Sequence, residues 1–253
     1  MFSLEINSTP EDRDILIADL WELGCSGISE LDESHVRVFF EDSADRNLLL
    51  RRYPAARFRA EEPRDWEQAA RDLLQPALVG SHFYLVPEWR DDPTPPGRFR
   101  ITVNPGMAFG TGVHETTQLC LEALETYLKP GMTVLDVGTG SGILAEAAGL
   151  LGAAKVFACD TDPTAVAIAR SRVPAIFTGS VSSVRSAVAD LVLANISPEA
   201  IIELAPDLFR ALRPGGRLLA SGFEAQEREQ VTAALPYVQK VRQKGNWLLA
   251  VAG

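Results

Sequence analysis

The sequence predicts an α/β fold with two parts, a small α+β domain followed by a doubly wound, mostly parallel sheet. Beyond residue 130, apolar runs of strand length alternate with stretches of helical periodicity. That alternation is typical of a parallel sheet covered by helices on both faces. Before residue 62 the predicted order is strand, helix, strand, strand, helix, strand, which is typical of a ferredoxin-like domain.

The elements of the first part follow from short local patterns. Residues 2–6 alternate in polarity as a half-buried strand does, and an apolar stripe at helical spacing runs from residue 12 to residue 23. The remaining predicted elements are strands at 28–31, 35–40 and 57–60 and a helix at 48–53. We therefore predict a ferredoxin-like domain over residues 1–62.

Residues 63–97 are predicted to be a connector, and residues 98–253 the larger domain. The connector contains a helical pattern at 65–75, a strand at 83–86 and a proline-rich loop at 91–97. In the larger domain the predicted strands are 98–104, 133–137, 155–159, 175–178, 190–194, 216–221 and 246–251, and the predicted helices are 115–128, 142–151, 163–172, 199–212 and 224–234. A ligand site is expected at the carboxyl ends of these strands.

Composition narrows the functional classes. The chain has 253 residues, of which 46% are hydrophobic and 23% charged, as in ordinary globular proteins. Its three cysteines contain no C-x-x-C pair, so neither a disulfide framework nor a metal site is expected. We see neither a signal peptide nor an apolar run of membrane-spanning length, so a cytoplasmic protein without membrane association is expected.

The net charge of −10 is concentrated at the front of the chain. Residues 1–45 contain 12 carboxylates and two arginines, whereas residues 46–253 contain 22 charges of each sign. Such a front repels nucleic-acid phosphates, so no direct nucleic-acid binding is expected, and it attracts a basic partner. The alternative is a solvated surface that only keeps the protein soluble.

A glycine motif marks the candidate cofactor site. The strand at 133–137 runs into Asp136-Val137-Gly138-Thr139-Gly140-Ser141-Gly142, and the next strand ends at Asp160, whose carboxylate can accept hydrogen bonds from ribose hydroxyls. A dinucleotide site would read G-x-G-x-x-G, and a glycine-rich packing turn is a further alternative. The segment resembles motif I of the class I S-adenosylmethionine-dependent methyltransferases. That resemblance implies cofactor contacts at Asp136, Gly138, Gly140, Gly142 and Asp160.

Two further segments contain candidate catalytic or binding residues. Asn195 stands at the end of a central strand, where its side-chain oxygen could accept a hydrogen bond from an amine and orient its lone pair. The alternative is a helix cap or an Asx turn before Pro198. The glycine-rich stretch 104–117, with Phe109 on it and Thr116 in the first helical turn, could fold over the site as a lid. Its alternative is an irregular approach to a capped helix.

Together these motifs resemble the ribosomal protein L11 methyltransferase family. The resemblance rests on M-A-F-G-T-G-V-H-E-T-T at 107–117, D-V-G-T-G-S-G-I-L at 136–144, D-T-D-P at 160–163 and A-N-I at 194–196. It implies an acidic substrate-recognition domain, S-adenosylmethionine as cofactor, and methylation of lysine and N-terminal amines of the basic protein L11. It also implies that Phe109, Thr116, Gly138, Asp160 and Asn195 contact the cofactor or line the transfer site.

The chain departs from that family's pattern in three places. Val113 replaces a usual second histidine, Ala70 replaces a common tryptophan, and the region 161–189 is short. The shortening falls at the expected adenine pocket around Ser180. The alternatives left open are a class I methyltransferase of another substrate, a nicotinamide oxidoreductase, and an inactive cofactor-binding module.

His114 is a candidate general base. A target lysine has a reference pKa near 10.4, so its deprotonation costs ~4.6 kcal/mol at pH 7. Solvent or desolvation in a closed cleft could meet that cost without a base, in which case His114 serves only to hydrogen-bond the helix start.

Overall fold

The computed structural model describes residues 1–9, 13–32, 34–60, 75–104 and 114–253. The chain divides into two compact units, residues 1–73 and 74–253. The predicted helix at 65–75 lies almost entirely outside the described residues.

The first unit is a four-stranded antiparallel sheet with two helices among its described residues. Its elements are β1 (Phe2–Asn7), α1 (Arg13–Glu22), β2 (Gly27–Asp32), β3 (His35–Phe40), α2 (Arg46–Arg52) and β4 (Arg57–Ala60). The strand order is β2-β3-β1-β4, and every neighbouring pair is antiparallel. This order and the chain's element sequence confirm the ferredoxin-like prediction.

Alternating side chains explain why this sheet has a buried face. Leu4 and Val38 are fully buried, and Leu20 of α1 and Leu49 of α2 join them in one apolar cluster. Asp45 starts α2, because its carboxylate accepts hydrogen bonds from the backbone N–H groups of Asn47 and Leu48 at 3.0 Å each. The pattern of apolar residues therefore places both helices.

The second unit begins with a small three-stranded sheet. It contains β5 (Ala77–Val79), β6 (Phe83–Pro87) and β7 (Phe99–Val103). Strands β5 and β6 are antiparallel, and β6 and β7 are parallel. Strand β5 is not among the predicted elements, because three residues are too few to show a period.

A seven-stranded sheet forms the centre of the second unit. Its strands are β8 (Thr133–Val137), β9 (Lys155–Asp160), β10 (Ile176–Thr178), β11 (Ala189–Asn195), β12 (Leu212–Glu224), β13 (Val238–Lys244) and β14 (Trp247–Ala252), in the order β10-β9-β8-β11-β12-β14-β13. The first five of these in the sheet order pair in parallel, and β14 is antiparallel to both of its neighbours. The predicted doubly wound, mostly parallel sheet is confirmed.

Helices flank this sheet and bury both of its faces. They are α3 (Glu115–Tyr127), α4 (Ile143–Leu150), α5 (Pro163–Ala169), α6 (Pro198–Ala211) and α7 (Arg228–Ala234). Along β8, Val134 packs in the cluster that contains α3 and α4, whereas Leu135 and Val137 pack in the cluster that contains α6. Within the described residues, no helix is long and apolar enough to cross a membrane.

The element ends differ from prediction in a few places. Helix α5 ends at Ala169 rather than at 172, and β12 runs on to Glu224 rather than ending at 221. The helix predicted at 224–234 is a 3-10 turn over Ala225–Glu227 followed by α7. Glu224 and Glu227 form a capping box at the start of this turn.

Candidate functional site

The candidate site lies at the carboxyl ends of β8, β9 and β11. Strands β9 and β11 flank β8 on opposite sides, so the order in which the chain adds parallel strands to the sheet reverses at β8. Ligands of open α/β sheets bind at such a switch point. Gly138 follows β8 directly, Asp160 ends β9 and Asn195 ends β11, so the topology brings these predicted residues to one edge.

The glycine motif forms a tight turn against β9. The backbone N–H groups of Gly138 and Thr139 both donate to the carbonyl oxygen of Cys159, at 2.9 and 3.1 Å. Gly138, Gly140 and Gly142 have φ values of 68°, 54° and 82°, a region that disfavours side chains. A Cβ atom on Gly138 would lie 2.3 Å from Ile196 Cγ2, so this position admits only glycine without rearrangement.

Asp160 holds the turn from the neighbouring strand. One oxygen of its half-buried carboxylate accepts a hydrogen bond from Gly140 N at 2.9 Å, and the other accepts one from Asp162 N at 3.0 Å. A carboxylate offers about four acceptor positions, so both oxygens retain capacity for ligand hydroxyls. Asp160 therefore positions the glycine turn and can also bind a ribose.

Asp136 is a buried carboxyl beneath this turn. Its Oδ2 atom accepts a hydrogen bond from the Thr139 hydroxyl at 2.6 Å, and its Oδ1 atom has no hydrogen-bond partner in the part of the chain that is described. Burial raises the pKa of Asp136 to about 6, against the lowering effects of the Thr139 hydroxyl and of the nearby Ala145 backbone N–H. The free oxygen is suited to a cationic or N–H group of a ligand.

Ser180 lies on the other side of Asp160. The N–H of Gly179 donates to the carbonyl oxygen of Asp160 at 2.8 Å, which places the start of the segment after β10 beside β9. The hydroxyl oxygen of Ser180 is buried and, among the described residues, has no partner. An unsatisfied buried hydroxyl is costly unless a ligand or water supplies the missing hydrogen bond.

Asn195 is half-buried at the end of β11. Its strand register pairs it with Ser221 of β12. The cap of α6 is Ser197, whose hydroxyl accepts a hydrogen bond from Ala200 N at 3.3 Å. The helix-cap alternative for Asn195 is therefore wrong, and its side chain makes no hydrogen bond to another described residue.

His114 is the N-cap of α3. Its Nδ1 atom accepts a hydrogen bond from Thr116 N at 3.4 Å and lies 2.9 Å from the Thr116 hydroxyl. The exposed imidazole also packs edge-on against Trp247, with ring centroids 4.7 Å apart, whereas Thr116 is only 5% exposed. This geometry matches the structural alternative for His114, and nothing in the sequence signalled the contact with Trp247.

Phe109, Val113 and Ala70 lie outside the described residues, as does most of the expected lid. Across the ranges that the structure describes, no three His, Cys, Asp or Glu side chains group as a metal site would require.

The site therefore combines a narrow glycine cradle with unsatisfied polar atoms on both sides. These are Asp136 Oδ1 and Ser180 Oγ, with Asp160 between them along the sheet edge. The half-buried Asn195 amide lies at the end of β11 beyond β8. A ligand with an amino group at one end and ribose and base groups at the other matches this distribution. S-adenosylmethionine has that chemical layout, so the residues fit the cofactor that the glycine motif suggests.

Comparison with known proteins agrees with this geometry. The model of the ribosomal protein L11 methyltransferase (PrmA) family matches residues 37–252. The L11 methyltransferase of Symbiobacterium thermophilum is 42% identical over 212 residues, covering 81% of this chain and 70% of the relative. The L11 methyltransferase of Azotobacter vinelandii is 34% identical over 259 residues, covering 89% of this chain and 88% of the relative.

A solved structure shows the same similarity in three dimensions. The crystal structure of the ribosomal protein L11 methylase from Lactobacillus delbrueckii subsp. bulgaricus is 30% identical and has a TM-score of 0.66. The structural match covers 71% of this chain and 98% of the chain in that crystal structure.

Proposed function

Because the chain belongs to the ribosomal protein L11 methyltransferase family, we propose that it transfers methyl groups from S-adenosylmethionine to amine nitrogens of ribosomal protein L11. The family match over residues 37–252 carries this proposal, since it includes every described residue of the candidate site. We place the protein and its substrate in the cytoplasm, without a membrane or a direct nucleic-acid partner.

The cofactor would be held along the sheet edge. Gly138, Gly140 and Gly142 leave room for it, Asp160 would accept hydrogen bonds from its ribose hydroxyls, and Ser180 would hydrogen-bond its base. Asp136 would bind the amino-acid end of the cofactor through its Oδ1 atom. When bound, S-adenosylmethionine supplies a methyl group on a positively charged sulfur, which an amine lone pair can attack.

Asn195 would orient the attacking amine. Its side-chain oxygen has no partner among the described residues and can accept a hydrogen bond from the substrate N–H. Such a contact fixes the direction of the nitrogen lone pair and lowers the entropic cost of alignment. Phe109 would line the same transfer site, and Thr116 would lie near the cofactor.

The amine must lose its proton before it attacks. Deprotonation of a free lysine at pH 7 costs ~4.6 kcal/mol, and desolvation in the cleft lowers the amine pKa. His114 is retained as the candidate base, although its Nδ1 atom already accepts a hydrogen bond at the start of α3. Replacing His114 by Asn, which can also cap a helix, separates the two roles. If His114 is the general base, the variant should show a pH-dependent loss of kcat, and if His114 only caps α3, kcat should be unchanged.

The acidic N-terminal domain would capture the basic substrate. Some of its carboxylates are already neutralised within the domain, since Asp42 pairs with the N-terminal amine and with Arg46 at 2.6 Å each, and Asp19 pairs with Arg52 at 3.1 Å. Glu41 is exposed and has no ion-pair partner among the described residues. It is therefore one carboxylate that stays available to a partner.

Charge reversal tests this docking. Glu41→Lys should raise KM for L11 and leave affinity for S-adenosylmethionine unchanged, and the wild-type KM should rise with salt because exposed charges are screened over ~10 Å at 0.1 M. Glu203→Lys makes the same charge change on an exposed position of α6 and serves as control. Equal KM values for the two variants, together with a salt-independent KM, would show that the acidic front is only a solvated surface.

A further inference from the structure

The connection between β10 and β11 is unusually short. Residues 179–188 carry the chain from one edge of the sheet past β9 and β8, and their only helical element is the 3-10 turn Val181–Ser183. Parallel strands are normally joined by a dozen or more residues that include an α-helix. Without that helix, the carbonyl groups of this crossover segment, residues 179–188, need other hydrogen-bond donors.

Arg210 of α6 supplies those donors. Its guanidinium donates to the carbonyl oxygens of Val184 at 2.5 Å and of Val181 and Ser182 at 3.2 Å each. The remaining Nε–H donates to Asp207 Oδ1 at 2.9 Å, which fixes the side chain from its own helix. One planar group with five donors thus satisfies three carbonyl groups of an irregular backbone.

The end of α6 holds the other end of the crossover segment. Ala187 N donates to the carbonyl of Arg210 and Val188 N to that of Ala211, both at 2.9 Å. Ala187 has a φ of 53°, a strained value for a residue with a Cβ atom, so this conformation needs outside support. The crossover segment is therefore positioned mainly by α6.

We propose that Arg210 is a positioning residue for the adenine end of the cofactor site. The carbonyls that it binds belong to the residues directly after Ser180, whose buried hydroxyl has no partner in the described structure. Arg210 acts on the cofactor through this backbone and not by contact. The inference rests on the proposed function, because it assigns Ser180 to the adenine of S-adenosylmethionine.

The test is calorimetric binding of S-adenosylhomocysteine and of 5′-deoxy-5′-methylthioadenosine, which lacks the amino-acid end. Arg210→Ala should raise Kd at least tenfold for both ligands, whereas kcat at saturating cofactor should stay within twofold. Arg210→Lys, which keeps the charge and some donors, should have Kd values between those of the wild type and those of Arg210→Ala. The control is Arg242→Ala, which removes a comparably exposed guanidinium from its ion pair with Glu122, and it should keep the wild-type Kd.

Three results would overturn the proposal. They are an unchanged Kd for Arg210→Ala, an equal rise for Arg242→Ala, or a loss confined to kcat. If Arg210→Ala does not fold, Arg210→Lys decides, since a wild-type Kd for that variant would equally contradict the role. If the wild type itself bound neither ligand, the proposed function would fail instead, so the two failures are distinguishable.

Discussion

Replacing Asp160 by alanine tests the cofactor site at the residue whose carboxylate both supports the glycine turn and is proposed to bind the ribose. In the structure its two oxygens already accept hydrogen bonds from Gly140 N and Asp162 N, and we propose that the remaining acceptor positions receive the ribose hydroxyls. A hydrogen bond to a charged group contributes about 1.5–3 kcal/mol. Since 1.4 kcal/mol corresponds to a factor of ten in affinity, losing even one ribose contact should raise the Kd for S-adenosylmethionine at least about tenfold.

The same substitution also removes a support of the glycine turn. A fall in melting temperature is therefore expected and must be separated from the loss of binding. Asp162→Ala is the matched control, because Asp162 caps α5 by accepting a hydrogen bond from Thr164 N at 2.7 Å. It should cost about 1 kcal/mol of stability and leave cofactor affinity nearly unchanged. A folded Asp160→Ala variant whose calorimetric Kd stays within twofold of wild type would refute the assignment.

The other site residues give three further predictions. Asn195→Ala should lower kcat far more than cofactor affinity, because its contact matters most in the aligned transition state; a kcat within twofold of wild type would remove it from the mechanism. Gly138→Ala should destabilise the fold and weaken cofactor binding, and adding Ile196→Ala should restore part of both losses, since the new Cβ atom meets Ile196 Cγ2 at 2.3 Å; no recovery would contradict the steric reason. Burial raises the pKa of Asp136 from 3.8 to about 6, so the folded state binds its proton more tightly than the unfolded state, and this group's contribution to stability decreases as pH rises from about 4 to 6. Asp136→Asn should accordingly gain stability relative to wild type across that window in thermal unfolding, and a difference that does not vary with pH would be evidence against a raised pKa.

The sequence was informative wherever one local pattern determined the structure. The buried runs of β8, β9 and β11 and the glycines after β8 predicted a candidate site at the carboxyl ends of these strands, since such ends meet at one edge of a parallel sheet. By contrast β13 was missed, because an edge strand that reads Val-Gln-Lys-Val-Arg-Gln-Lys is too polar to stand out.

The contacts that support the site could not be predicted in the same way. Arg210 lies 26 residues from Val184 in sequence, and no spacing rule connects a helix arginine to a distant loop carbonyl. The edge contact between His114 and Trp247 joins the start of α3 to β14, which likewise depends on tertiary packing. Local chemistry therefore predicted the residues that we propose face the ligand, whereas the residues that hold them in place required the fold.

Mass spectrometry of purified ribosomal protein L11 tests the proposed reaction most directly. L11 would be incubated with this protein and S-adenosylmethionine, with Asn195→Ala as the parallel sample. We expect the mass of L11 to rise in whole multiples of one methyl group with the wild type, and far more slowly with Asn195→Ala. An unchanged L11 mass in the presence of wild-type protein that demonstrably binds the cofactor would contradict methylation of L11.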